Sequence, residues 1–331
     1  MSLWLALALL ACKTEDTSGV PGPRYSHVGM LEADGAFFHV AGGSSEDGRV
    51  VDTWRYGLDT DTWEPRPDPP ESIFRATAVP EGDDALVFAG TASGGDESNR
   101  LYRWSLADGS WTQVSGGRPP GGRYKAAAAM AGDVMVVQGG RTNDSGENVT
   151  LQDVWVFDPA DESWTELNTN GGPGPMTRQG LAWDSQREML WMQGGIDNDD
   201  ERHDWLWSLD VASGVWAQHE VAGDTPGVRA SHTFLEVGGK LLVWGGTSSD
   251  DSTWIYDPDT EAWTQHTHET APSPRDAQVA DVTSDGASLY LMGGDPAQDL
   301  AGDFVADFWQ LDLASMVWTE REPSELPVNS R

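Results

Sequence analysis

One apolar strand ending in a glycine pair recurs along the whole length of this 331-residue chain. It reads AFFHVAGG (36–43), DVMVVQGG (133–140), EMLWMQGG (188–195), KLLVWGG (240–246) and SLYLMGG (288–294), with ALVFAG (85–90) as a degenerate copy. The closing glycines Gly43, Gly90, Gly140, Gly195, Gly246 and Gly294 are spaced 47 to 55 residues apart. A unit repeated at such a period is one supersecondary element that cannot bury its faces alone, so the units must pack against each other.

Two aromatic residues follow each glycine pair, always nine residues apart: Trp54/Trp63, Tyr102/Trp111, Trp155/Trp164, Trp207/Trp216, Trp254/Trp263 and Trp309/Trp318. Turn signals such as DPAD (158–161) and DPDT (257–260) lie between them. An odd separation about a symmetrical hairpin predicts that the two aromatics stand directly opposite one another as scaffold pairs. An arginine opens each repeat: Arg24, Arg75, Arg123, Arg178, Arg229 and Arg275. Its distance to the first position of the glycine pair is 18, 14, 16, 16, 16 and 18 residues. Even changes keep every side chain on its own face of a hairpin, whereas a change of one would invert the strand.

The strand after each arginine is poor in bulky groups, as in KAAAAMAG (125–132) and RATAV (75–79). Small side chains suit the innermost strand where radially arranged sheets converge. The expected fold is therefore all-β, a six-bladed β-propeller of four-stranded antiparallel blades. The blades are placed at about 23–70, 71–119, 120–174, 175–225, 226–271 and 272–321, within a propeller over 23–321. A linker (13–22) precedes it and a tail (322–331) follows.

Arg-x-x-His (Arg24 to His27, Arg229 to His232), the glycine pair and the Trp-x₈-Trp hairpin together resemble the Kelch repeat, as in the galactose-oxidase central domain, over about residues 21–321. The second repeat departs from the pattern, with Ala89-Gly90 and Tyr102. The resemblance implies one repeat per blade. The start of the first strand and the end of the second share an edge of an antiparallel blade. Tyr25-Ser26, Ala76-Thr77, Tyr124-Lys125, Gln179-Gly180, Ala230-Ser231 and Asp276-Ala277 should therefore meet Ser44, Thr91, Arg141, Ile196, Thr247 and Asp295 around the axis. In Kelch adaptors that capture peptides these places line the pocket, which makes Tyr25, Tyr124, Lys125, Arg141 and Gln179 the candidate binding residues. The six arginines, present in every repeat, are expected to be scaffold.

The formal charge of −34, with only Lys13, Lys125 and Lys240 as lysines, repels nucleic acid and anionic lipid, so neither is expected as a partner. Acidic loops at 44–48, 93–99, 196–204 and 247–252 leave Ca²⁺ as the one ion to consider. Asp197, Asp199 and Asp200 nevertheless lack the glycine of an EF-hand loop, and His266 and His268 lack a third ligand. No metal site and no cofactor are expected. GxSxG, HExxH and P-loop signatures are missing from the sequence, and no catalytic residue is assigned. The copper-radical oxidases of the Kelch group cross-link a cysteine to a tyrosine, and the single cysteine here, Cys12, lies outside the propeller. The expected function is a monomeric binding module for a protein or carbohydrate partner. The alternatives are a sugar mutarotase or epimerase of the sialic-acid kind, or an envelope spacer.

Leu3 to Ala11 form an apolar run of signal-peptide length, too short for a bilayer span of roughly 20 residues. It ends in Leu9-Leu10-Ala11-Cys12, which resembles a bacterial lipobox, although Met1 and Ser2 supply no basic residue. Residues 1–12 are expected to be a signal peptide ending at a lipidated Cys12. The protein would then be exported and lipid-anchored to the bacterial cell envelope, at the periplasm or cell surface, or otherwise secreted. A lipid would be its only link to the membrane.

Overall fold

The computed structural model describes residues 19–144, 146–298 and 302–323. Within them the chain forms six four-stranded antiparallel sheets and two short ribbons, with no helix. The first sheet runs Val28–Leu31, Phe37–Ala41, Thr53–Gly57 and Thr62–Arg66, in that spatial order. The innermost strands of the other five are Thr77–Glu81, Ala127–Ala131, Gly180–Asp184, Thr233–Val237 and Val279–Val282. Each contacts the innermost strands of its two neighbours, and the sixth contacts the first. The fold is a six-bladed β-propeller, and every blade is built from one continuous stretch of chain, the two ribbons being insertions within the first and third.

Burial explains the sequence pattern. The second strand of a blade is covered by the neighbouring blades on both faces, so it reads as an unbroken apolar run. Leu241, Leu242, Val243 and Trp244 are all fully buried. The core is thus distributed between blades: Phe38 and Tyr56 of the first pack on Tyr290 and Phe308 of the sixth, and Leu242 and Trp244 of the fifth pack on Leu289, Leu291 and Trp318.

The outer hairpins differ from expectation. The residues that face each other are Tyr56/Trp63, Trp104/Trp111, Phe157/Trp164, Leu209/Trp216, Tyr256/Trp263 and Leu311/Trp318. The aromatics nine apart share a face but sit diagonally. A left-handed residue two places before each tryptophan is the cause: Asp61, Gly109, Glu162, Gly214, Glu261 or Met316, with φ between 52° and 77°. It belongs to the turn, which moves the hairpin's centre by one residue and the facing partner by two.

The arginine set also needs correction. Arg24, Arg123, Arg229 and Arg275 are fully buried, and each donates through Nη1 to the carbonyl of the first glycine of its own pair. Three of them grip a carboxylate with both terminal nitrogens: Asp52, Asp153 and Asp307. The indole N–H of Trp54, Trp155 or Trp309 donates to the same carboxylate. In the fifth blade Asp250 stands 3.7 Å from Arg229 and accepts from Trp254. In the second and fourth blades this place holds Ile73 and Met176, as the hydrogen bonds between blades show. There the aspartate position two before the aromatic holds Arg100 and Trp205. Arg75 and Arg178 lie two residues further on and belong to a different part of the molecule. An error of two preserves strand parity, so the even spacings could not reveal it.

The glycine pair joins neighbouring blades. The N–H of Gly43, Gly90, Gly140, Gly195, Gly246 and Gly294 donates to the carbonyl of Ile73, Arg123, Met176, Arg229, Arg275 and Arg24 respectively, at 2.6–2.9 Å. At Gly293 a Cβ would stand 2.9 Å from the Arg24 carbonyl oxygen and 2.8 Å from the His27 ring, and φ is +67°. Only glycine fits there. The ring closes with the bond from Gly294 to Arg24, the bond from the Leu31 N–H to Asp281, and Arg321 donating to Asp61 and the Leu58 carbonyl.

Removing a scaffold arginine should leave its aspartate stranded. Arg123→Met is expected to lower stability by about 2–3 kcal/mol, somewhat under the ~3–5 for a fully buried pair, because Asp153 keeps some solvent contact. Adding Asp153→Asn should recover much of the loss, so the coupling in a denaturation double-mutant cycle should be large. Additive losses would contradict this account.

Candidate functional site

Six residues, one per blade, precede the innermost strands in left-handed backbone: Ser26, Arg75, Lys125, Arg178, Ser231 and Ala277, with φ from 50° to 60°. Their main chains form a closed belt around the axis. The N–H of Arg75 donates to the Ser26 carbonyl, Lys125 to Arg75, Arg178 to Lys125, Ser231 to Arg178, Ala277 to Ser231 and Ser26 to Ala277, at 2.8–3.1 Å. All six residues line one axial cavity of about 160 Å³, together with the residue that follows each: His27, Ala76, Ala126, Gln179, His232 and Gln278.

Three consecutive blades thus present a basic side chain to this mouth. Arg75, Lys125 and Arg178 form no side-chain hydrogen bond or ion pair with any described residue. Arg24, Arg123 and Arg275, by contrast, each grip a carboxylate with two nitrogens. Arg75 lies over the Phe74 and Tyr124 rings, 4.6 and 5.5 Å from their centroids. Burial, with Arg178 and Arg75 close by, pushes the Lys125 ammonium down to about 6. Burial also lowers Arg178, against the favourable field of Asp276. Asp276 lies in the sixth blade, bridged by backbone to Asp295; burial pushes its carboxyl up to about 6, and its Oδ1 has no hydrogen-bond partner.

Beneath the mouth, both ring nitrogens of His232 lack a hydrogen-bond partner, as do the Oε1 atoms of Gln179 and Gln278, while His27 lies against the Met292 backbone. Burial followed by the field of Arg24 pushes His27 down to about 3, and burial with Arg229 holds His232 well below the usual range. These polar atoms are closed off from water, the histidine rings packing against Gly293, Gly194 and Gly180 of the neighbouring blades.

The five residues expected to bind are distributed unevenly. Lys125 and Gln179 line the cavity. Gln179 does so one step inside the belt, where its Nε2 donates to the Gln138 carbonyl at 3.0 Å. The residues equivalent to Tyr25 and Tyr124 in the other blades are Phe74, Thr177, Ala230 and Asp276, so Ala76 and Gln179 were two places out of line. Tyr25 is buried against Phe304 and Phe74, its ring 4.3 and 5.4 Å from theirs. Tyr124 bridges by backbone to Arg141 and donates from its hydroxyl to Asn148 at 3.1 Å. Arg141 is committed to Asp200 and Thr150. Arg75, Arg178, His27 and His232 were not singled out for this site. The second and fourth repeats have no aspartate either two or four residues before the aromatic, and that signal separates Arg75 and Arg178 from the scaffold arginines.

The acidic loop around Asp197 is satisfied internally, accepting from the N–H groups of Asp199 and Glu201 and contacting His203. His268 lies between Thr253 and the Met316 carbonyl. No group of three or more metal-type ligands occurs among the described residues, and no described helix is long and apolar enough to cross a membrane.

The buried neutral histidines carry a pH signature. Below about pH 6.5 the unfolded chain takes up protons that folded His27 refuses until about pH 3, so these groups withdraw stability as pH falls through that window. Glutamine already occupies the equivalent place as Gln179 and Gln278, so His27→Gln with His232→Gln should fold. The thermal midpoint of the double variant should drop less than the parent's between pH 7 and pH 4. Parallel curves in calorimetry would contradict this.

Comparison with known proteins agrees with this architecture. The chain matches the KLHDC2/KLHL20/DRC7 Kelch-repeats domain over residues 3–183 and 172–331. It is 28% identical to Acyl-CoA-binding domain-containing protein 5 of Arabidopsis thaliana, covering 83% of this chain and 45% of that protein. It is 27% identical to human Host cell factor 2, covering 93% and 44%. It is 26% identical to the Leucine-zipper-like transcriptional regulator 1 homolog of Drosophila melanogaster, covering 75% and 26%. The chain therefore spans less than half the length of these relatives. With six blades built on one repeat and a family match across nearly its whole length, the chain belongs to the Kelch-repeat proteins.

Proposed function

We propose that this propeller is a protein-interaction module that captures an anionic segment of its partner in the axial mouth. The observation that carries this reading is the pair of guanidiniums without an ion-pair partner, Arg75 and Arg178, flanking Lys125 in one cavity of a chain of net charge −34. Buried or half-buried cations are normally paired, and an unpaired set is balanced by an incoming anion. The belt holds the three backbones rigidly, so little ordering entropy is lost on binding.

Fluorescence anisotropy with short acidic peptides tests the proposal. Binding should weaken at high salt, and Arg178→Gln or Arg75→Gln should each reduce affinity about tenfold or more, equivalent to the ~1.5–3 kcal/mol of a charge-assisted hydrogen bond. Thermal stability should change little. Equal affinity for neutral peptides, or unchanged binding by the variants, would overturn the reading.

A second reading, sugar mutarotation, is favoured by one feature: Lys125 and Asp276 both titrate near 6, as acid–base exchange at neutral pH requires. Anomerically pure sugars followed by NMR should then relax faster than in buffer; equal rates end this reading.

Export with a lipid anchor is proposed from the sequence alone, since Cys12 lies outside the described residues. Mass spectrometry of protein made in a bacterial host should find a mature chain starting at a diacylated Cys12. An unmodified start elsewhere would refute it.

A further inference from the structure

We propose that Lys125 is a reactive amine that condenses with the carbonyl group of a small 2-oxo acid whose carboxylate is held by Arg75 and Arg178. This rests on the reading of the axial mouth as an anion site and gives it a ligand class and a chemistry.

Geometry is the first support. Lys125 occupies the middle of three consecutive belt positions, its N–H on the Arg75 carbonyl and its own carbonyl accepting from Arg178. All three side chains line the same cavity, about 160 Å³ in volume, which suits a molecule of a few heavy atoms. No described residue accepts a hydrogen bond from the lysine side chain or pairs with it. The charged groups that act on it are Arg178, Arg75 and Arg141, which oppose its protonation, and Asp276, which favours it.

The chemistry follows from that arrangement. An ammonium between two guanidiniums is the worst placed of the three charges, and only lysine can relieve this by releasing a proton. Its pKa near 6 leaves it mostly neutral at pH 7, whereas an ordinary lysine near 10.4 is almost wholly protonated. A neutral amine adds little to anion attraction, so lysine is a poor choice for charge alone. Beside cationic neighbours it is the amine type that attacks carbonyls. The scaffold does not require it, because Ser26, Ser231 and Ala277 hold the equivalent place elsewhere in the belt.

The reaction balances without an oxidant or reductant. The Lys125 nitrogen attacks the carbonyl carbon, forming a C–N bond as the π pair moves to oxygen. Proton transfer from nitrogen to oxygen gives a carbinolamine. The hydroxyl then leaves as water, taking a proton that Asp276, raised to about 6, can supply and recover. Amine and ketone become imine and water.

Pyruvate with sodium cyanoborohydride is the probe, used on the full chain at pH 7 and read by intact mass and peptide mapping. One reduced pyruvate should appear on Lys125, at least tenfold faster than on Lys240, an exposed lysine paired with Asp257. Lactate, which has the carboxylate but no carbonyl, should protect Lys125 without labelling it. Lys125→Met should fold, since the belt accepts other side chains, and should lose the adduct. Arg178→Gln should keep the lysine but label slowly. Modification spread equally over the lysines, or none at Lys125, would overturn the proposal. If acidic peptides still bind in that case, the anion site survives and only the amine chemistry is lost; if they do not, both are lost.

Discussion

The belt of six hydrogen bonds around the axis is the interaction on which the molecule's shape and its one candidate site both depend. Each bond joins adjacent blades through main-chain atoms alone, and the last returns to the first blade without exchanging a strand. Its members hold left-handed backbone, which disfavours a residue with a Cβ by about 1–2 kcal/mol. A hydrogen bond contributes about 0.5–1.5 kcal/mol net, so the two roughly offset. Glycine would meet the conformational demand more cheaply. Yet Arg75, Lys125 and Arg178 stand in this belt, each displayed to the cavity. Strain held by a rigid surround at a cavity-facing position is what makes the mouth a candidate site.

How much of this could be read from the chain follows from what each feature is made of. The glycine pairs and the buried second strands declare themselves in side chains, so blade number and strand order were legible. The hairpin register was not. The residue that shifts it is Asp61, Glu162, Glu261 or Met316 in four of the blades, and none of these types announces a left-handed turn as glycine does. The belt was invisible for a different reason: it is built from N–H and C=O groups that every residue type but proline supplies. Lys125 could be placed at the mouth because the edge of an antiparallel blade is a geometrical necessity, whereas Gln179 reaches the cavity only through a two-residue slip of register. Arg75 and Arg178 were missed because a two-residue slip leaves strand parity intact.

The departures among repeats are informative in physical terms. Arg24, Arg123 and Arg275 each have an aspartate two residues before the blade's tryptophan, and Ile73 and Met176 have none. A buried arginine without its carboxylate, or the reverse, would leave an uncompensated charge, so the two must be kept or lost together. Blades two and four hold the apolar side chains Ile73 and Met176 in place of the arginine. Both carry an arginine two residues on, at the belt. In these blades the guanidinium faces the axis rather than gripping the blade, while blade three has both Arg123 in the scaffold and Lys125 in the mouth.

This placement also bears on which anions can enter. A net charge of −34 repels any extended polyanion, and at physiological salt that repulsion is felt within about 8 Å of the surface. Attraction is concentrated where the cations are unpaired and partly desolvated, in a cavity of about 160 Å³. Inside it the lower dielectric strengthens a direct contact, while the acidic loops outside are largely screened. A nucleic acid meets mostly the repulsive surface, because its charges cannot all reach the cavity. A small acid, or one acidic group on a protein segment, meets mostly the attractive one. On the proposed reading this balance favours compact negative charge, which an acidic surface with a neutral mouth, or a cationic mouth on a neutral body, would not do as sharply.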